Sequence, residues 1–388
     1  MRISYKYRDQ ITRTQLISLS TVLFITFLFG LYYTRAHLYS TEFGHDEGYY
    51  IEMAKRWVDT GVYAYASDVP NAFVPPGLPV YLALCYKLFG FEPTGLAAIR
   101  ILQLAFSVLT VFLVYIYGYQ LSGMRNVGII AAGLISLNLN FYSYTYALLT
   151  ENIYFLSMML FAVAFTYAQK QDKLWLHFVS GLLFCVCVMI RSAIVIVVFV
   201  IYIPTIIKNK HNPIYAFKCL GLFVLGFAML ALPWWIRNIV VLDELILFCK
   251  QSHIVFAGMA KDIYALGIAQ PESFTGCFGV LLELLKRDPV GTIYWFTIGK
   301  FEIFFMQYSE DMFSVFAAIP KNIVVFFGIP TCVRALFSSR YRWGVITFFI
   351  YLFVVFLGVP TSRYGLQYLF FLSVAAAYAL NSLHLAFR

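Results

Sequence analysis

Ten stretches of mostly apolar residues constrain this chain more than any other feature. They run over 16–34, 97–121, 127–146, 151–169, 174–190, 192–207, 216–236, 321–337, 343–360 and 365–385. A helix needs about 20 such residues to cross the hydrocarbon core of a bilayer. Apolar residues make up 61% of the 388 and charged residues 12%, against about 45–50% and about 25% in soluble domains. A soluble enzyme, a disordered chain and a secreted disulfide scaffold are therefore excluded. The expected fold class is an all-α polytopic membrane protein of about ten transmembrane helices. Phe29-Gly30-Leu31-Tyr32-Tyr33 offers no small-residue cleavage site, so the first stretch reads as a retained span.

The formal charge of +9 would suggest nucleic acid in a soluble protein. Here it sorts the loops. Arg2, Lys6, Arg8, Arg13, Arg125, Lys170, Lys173, Lys208, Lys210, Lys218, Arg334, Arg340, Arg342 and Arg388 share one set of span ends with only Asp9 and Asp172. The other 14 Lys/Arg share the opposite side with 17 acids. The positive side reads as cytoplasmic, with both termini on it. Two segments on the outer side are long, 35–96 and 237–320, and long loops in compact proteins are usually functional. No repeat or separate soluble C-terminal domain is legible, so 1–388 reads as one membrane-embedded domain.

In the first outer loop, Tyr50, Met53, Ala54, Trp57 and Val58 follow helical spacing, with Lys55, Arg56 and Asp59 on the other side. Residues 45–59 thus predict an amphipathic helix lying in the interface. Asp46 and Glu47 open it, where the helix dipole favours carboxylates; Asp46 could be a simple helix cap. After Pro75, Pro76 and Pro79 comes an apolar run too short to cross, which reads as a half-inserted helix. Residues 275–307 read as further interfacial helices because Lys286, Arg287, Lys300 and Glu302 interrupt them.

Arg100, Arg191, Arg237 and Arg363 recur at the outer ends of spans, with Glu151 at the same level. Each alone could be an anchor to headgroups. Ionisable groups at such depth are costly and usually functional, and the planar guanidinium suits phosphate. Lys300 could approach the same place. Cys249 and Cys277 share one outer loop and could pair. No Cys or His pair has zinc spacing, while His45, Asp46 and Glu47 together could hold a divalent ion. No Walker sequence or GxGxxG after a strand is present, so any substrate arrives through the lipid.

The ordered set Asp46-Glu47-x-x-Tyr50, Pro75-Pro76-Gly77-Leu78-Pro79 with Phe89-Gly90, Arg100-Ile101, Thr150-Glu151-Asn152, Arg191, Pro233-Trp234-x-x-Arg237-Asn238 and Arg363-Tyr364 resembles the polytopic glycosyltransferases of the C-type fold. The nearest resemblance is to bacterial relatives of the protein O-mannosyltransferases and of the aminoarabinose transferase acting on lipid A. It implies inverting transfer of a sugar from a polyprenyl-phosphate carrier to a glycan, glycolipid or protein, on the outer face of a bacterial inner membrane. It implies Asp46 as catalytic base with Glu47 beside it. Arg100, Glu151, Arg191, Arg237, Lys300, Arg363 and Tyr364 would bind substrate. The lipid A branch carries basic residues where this chain has Tyr49 and Pro75, which argues against aminoarabinose transfer. Two rivals remain open. A polysaccharide polymerase or ligase would not require the acidic turn after the first span. A transporter would carry charge at span centres and inverted repeats, neither of which is visible.

Overall fold

The computed structural model describes residues 10–171, 173–250, 252–271, 275–306, 312–338 and 340–386. Arg2, Lys6, Arg8, Asp9, Asp172 and Arg388 lie outside the described residues. The chain runs α1 (Arg13–His37), α2 (His45–Thr60), α3 (Gly77–Phe89), α4 (Pro93–Ser122), α5 (Arg125–Ser136), the short α6 (Ser143–Tyr146), α7 (Thr150–Lys170) and α8 (Trp175–Ile190). A 3₁₀ stretch, Ser192–Val197, leads into the short α9 (Val198–Ile201) and α10 (Ile203–Lys208), then α11 (Pro213–Leu242). The second long loop holds α12 (Ser252–Ala257), α13 (Gly276–Arg287), α14 (Pro289–Tyr294) and two π-helical turns, Trp295–Gly299 and Glu302–Met306. Helices α15 (Met312–Ala335), α16 (Arg342–Leu357) and α17 (Ser362–Ala386) follow.

Among the described residues six helices are long and apolar enough to cross a membrane: α1, α4, α7, α11, Ala318–Ala335 of α15, and α17. The predicted 127–146 span is a helix pair bent by 69°. Leu137 and Asn138 end the first half, and a 3₁₀ turn with Phe141 buried starts the second. The other predicted spans, 174–190, 192–207 and 343–360, are apolar helices of 10–17 residues. The protein is a multi-pass membrane protein.

Local sequence explains where these helices begin. Thr12 and Gln15 form a reciprocal capping box on α1. Proline stands in the first turn of α4 and α11, where a missing N–H costs nothing. Helix α8 packs closely on α11 because glycines meet backbone across the contact. A Cβ on Gly181 would lie 2.0 Å from Phe223 O, and one on Gly226 2.2 Å from Phe178 O. Small residues at such crossings let apolar helices pack without a hydrophobic drive. The main core gathers Tyr142, Tyr154, Phe155, Phe184, Tyr368 and Phe370, all fully buried.

Side-chain contacts join the helix ends into two levels. At one, Gln15 donates to Asn126, Tyr341 to Leu121 O and Asn381 to Met124 Sδ; this is the basic end of the sequence count. The opposite level brings together the start of α2, the bend before α7, the end of α8 and the start of α17. The first long loop joins that level through a second apolar cluster of Met53, Tyr63, Val74, Cys185, Met189 and Trp234. In the second loop Cys277 packs with Phe256, Val280 and Leu284. Cys249 instead faces Ser192 Oγ at 3.6 Å, and no disulfide joins the two cysteines.

Candidate functional site

Where α2, α7, α8 and α17 meet, Asp46, Thr150, Arg191, Arg363 and Tyr364 line a cavity of about 810 Å³. Asp46 is the second residue of α2, and Gly44 is that helix's N-cap. The capping reading of Asp46 therefore gives way: its carboxylate caps nothing and instead turns to α17. Asp46 Oδ2 accepts from both Nη1 and Nη2 of Arg363, each at 3.2 Å. Asp46 keeps 44% of its side chain exposed.

Behind this pair lies a buried one. Glu151, in the first turn of α7, is 1% exposed and accepts from Arg191 Nη2 at 2.5 Å. Arg363 Nε stands 3.8 Å from the same oxygen. Thr150 Oγ1 accepts from Arg191 Nε and Nη2 at 3.2 and 2.9 Å and donates to Glu151 Oε2. The Tyr364 ring lies under both guanidiniums, at 4.8 Å from Arg191 and 5.1 Å from Arg363. Removing one partner of such a buried pair costs about 3–5 kcal/mol, so Glu151 fixes Arg191 firmly. With two carboxylates and two guanidiniums, the cluster is formally neutral before any anion enters.

The proline-rich motif shapes one wall. A Cβ on Gly77 would lie 2.7 Å from Met189 O and 2.6 Å from Ile190 Cγ1. Only glycine lets α3 start against the end of α8, which places Pro75 in the cavity beside Ile190 and Arg191. Arg191 itself is extended, with φ −139° and ψ 103°, and ends α8. The next six residues, Ser-Ala-Ile-Val-Ile-Val, form the 3₁₀ stretch. Their branched side chains favour α-helix weakly. Ala193, Val195 and Ile196, together with Val354, Val355 and Leu357, give the cavity an apolar wall.

The other expected site residues stand apart from the cavity lining. Glu47 accepts from Leu148 N at 2.7 Å and Gly44 N at 2.9 Å, tying the start of α2 to the residue three before Glu151. Arg100 is 2% exposed and donates to three carbonyls, of Leu38, Ser40 and Tyr146, at 3.0, 2.9 and 3.3 Å. Arg237 donates to the carbonyls of Asn71 and Tyr63, each at 3.0 Å. Its neighbours in the motif hold the second loop: Trp234 donates to Phe248 O, Trp235 to Leu247 O and Asn238 to Ile246 O. Lys300 is fully buried and donates to the carbonyls of Phe356 and Gly358. Burial pushes its ammonium down to about 7. Gly358 borders the cavity, so Lys300 braces the wall from behind.

Several lining groups had no distinct signal in the sequence. Tyr351 donates to Gln367 at 3.0 Å and lies 2.6 Å from Tyr154 Oη, a polar floor made of residues that read as span. Lys250 pairs with Glu244 at the rim, and its N–H donates to Ala72 O at 2.9 Å, binding the two long loops together. Arg56, expected on the solvent side, instead donates to Ala64 O and Ser67 O. The proposed divalent site does not assemble. Glu47 is turned away, and His45 Nδ1 is 3.9 Å from Asp46 Oδ1. Among the described residues no three His, Cys, Asp or Glu side chains converge.

The comparisons with known proteins bear on the fold. The crystal structure of ArnT from Cupriavidus metallidurans bound to undecaprenyl phosphate superposes with a TM-score of 0.52, at 14% identity over 94% of this chain and 60% of that one. This chain has the C-type glycosyltransferase fold. The apo state of that ArnT gives 0.49 at 13% identity, over 94% of this chain and 59% of that one. The oligosaccharyltransferase of Archaeoglobus fulgidus tethered to an acceptor peptide gives 0.48 at 15%, over 95% and 50%. The chain thus spans no more than 60% of the length of these structures. Residues 73–236, less than half of the chain, match the family described as dolichyl-phosphate-mannose-protein mannosyltransferase. Among curated proteins no sequence match is found. The family match and the shared fold agree with the resemblance carried by the ordered sequence motifs.

Proposed function

We propose that the protein transfers a sugar, with inversion, from a polyprenyl-phosphate carrier to an acceptor hydroxyl at the outer face of a bacterial inner membrane. The observation that carries this reading is the single cavity in which Asp46 stands beside Arg191 and Arg363. ArnT binds undecaprenyl phosphate, a lipid of the proposed donor type. The apolar wall of the cavity suits the first isoprenes, and the two guanidiniums suit the phosphate.

In this reading the acceptor oxygen attacks the anomeric carbon while Asp46 removes its proton. The bond from that carbon to the phosphate oxygen breaks, and both electrons leave with the phosphate. Its charge rises as it departs, so fixed arginines stabilise the transition state more than the ground state. Arg363 has two tasks. It holds Asp46, and it turns to the phosphate when the donor enters. Donor binding then frees the Asp46 oxygen to accept a proton. The acid at the outer rim and the absence of charge at span centres favour this over a transporter.

Asp46→Asn decides the matter, because it keeps shape and removes basicity. Transfer should fall about 10²–10⁴-fold, with the melting temperature and donor affinity nearly unchanged. Turnover close to that of the unaltered protein, measured in nanodiscs with radiolabelled polyprenyl-phosphate sugars, would end the assignment.

A further inference from the structure

The first long loop carries a set of rings that the reaction as described does not use. Tyr65 lies flat on Phe73, with centroids 5.4 Å apart and planes 16° apart. Tyr49 and Tyr50 meet it at 5.5 and 5.3 Å, and His45 stands edge-on to Tyr49 at 4.8 Å. Tyr65 is only half-buried. Tyr50 also lines the cavity, so the rings begin where Asp46 ends. The Asp46 carboxylate and the Arg363 guanidinium both reach Tyr65 electrostatically. Burial and the Asp46 charge push its phenol up to about 12, which keeps the hydroxyl protonated as a donor.

The backbone around this ring is held more firmly than a loop requires. Asn71 accepts from Tyr65 N and donates to Tyr65 O, each at 3.2 Å. Arg237 holds the carbonyls of Tyr63 and Asn71, and Arg56 those of Ala64 and Ser67. Ala66, directly after Tyr65, has φ +49°, a left-handed conformation that alanine rarely adopts. Strain of this kind persists where surrounding contacts over-determine it and is concentrated at ligand sites. Tyrosines at a bilayer interface are common as a belt, but a belt needs no clamp and no strained neighbour.

Resting on the transferase reading, we propose that Tyr65, flanked by Tyr49, is the platform on which a sugar ring of the acceptor stacks beside Asp46. The acceptor is thus a glycolipid rather than a peptide. The C–H face of a pyranose is weakly positive and apolar, and it matches the negative face of an aromatic ring. Its hydroxyls remain at the rim, where one can meet Asp46. In back-face displacement the acceptor on this platform approaches the anomeric carbon from the side opposite the departing phosphate.

The test uses the full chain in nanodiscs, a panel of radiolabelled polyprenyl-phosphate hexoses and pentoses, and two acceptor fractions from the cell envelope, glycolipid and protein. Label should enter the glycolipid fraction. Tyr65→Ala should raise the KM for that fraction at least tenfold while the donor Kd and melting temperature stay within error. Tyr65→Phe, which keeps the ring, should remain within about threefold. Label in protein, or an unchanged acceptor KM in Tyr65→Ala, overturns the platform and leaves the transferase reading intact. A loss confined to donor affinity also overturns it. No transfer to either fraction by the unaltered protein overturns both.

Discussion

Arg191 and Arg363 differ from Arg100 and Arg237 in one respect: what their nitrogens touch. The first two face carboxylates at an open cavity. The second two are spent on backbone carbonyls of the loops. All four stand near the loop-bearing ends of helices, and depth alone does not separate them. A guanidinium whose donors end on fixed carbonyls is a structural tie. One whose partner is a carboxylate beside open space can exchange that partner for another anion. The difference teaches that function at this level follows from the partner and not from the position.

The largest effects should fall on the cavity pair. Arg363→Gln and Arg191→Gln should each lower turnover about 10²–10³-fold, the usual loss for one donor aimed at developing charge. Steady-state rates with donor titration read this directly. Arg191→Gln should also lower the melting temperature more, because Glu151 is buried and Asp46 is not. If Arg237→Met lost turnover to the same degree at an unchanged melting temperature, the division into two classes would break.

Arg100→Met should show the opposite pattern. Three carbonyls lose a donor, and each unsatisfied buried group costs about 1–3 kcal/mol. A melting temperature lower by several degrees is expected, with turnover per folded molecule within about threefold. A loss of turnover without a loss of stability would place Arg100 with the cavity pair after all.

Lys300 sharpens the comparison through pH. Its folded value is about 7, against about 10.4 for a free lysine. Between these values the unfolded chain holds a proton that the folded chain does not, so stability rises with pH across that window, by at most about 1.4 kcal/mol per unit. The burial penalty is complete below the folded value and absent above the unfolded one. Thermal melts from pH 6 to 10 should therefore climb in the unaltered protein and climb less in Lys300→Met. Equal slopes would show that the ammonium is not held as the carbonyls suggest.

Much of this was legible in the sequence. Helix positions follow from apolar length, and Asp46, Glu151, Arg191 and Arg363 follow from their order along the chain. The clamps were not legible. Whether Arg237 meets a phosphate or Tyr63 O depends on the path of a loop 174 residues away, and no local spacing records that path. Ser192–Val197 read as part of a span because its hydropathy suffices; its β-branched run, which favours the tighter turn, was the missed signal. Tyr65 lay unnoticed because a ring beside a carboxylate is a tertiary fact.

The bond between Asp46 and Arg363 joins residues 317 positions apart. Asp46 leaves the ribosome early, while its partner arrives in the first turn of α17. Until α17 is inserted, the cluster holds two carboxylates, Asp46 and Glu151, and one guanidinium, that of Arg191 on Glu151. The half-made cluster is then formally net negative. The charge balance of the cavity is thus complete only once α17 is in place.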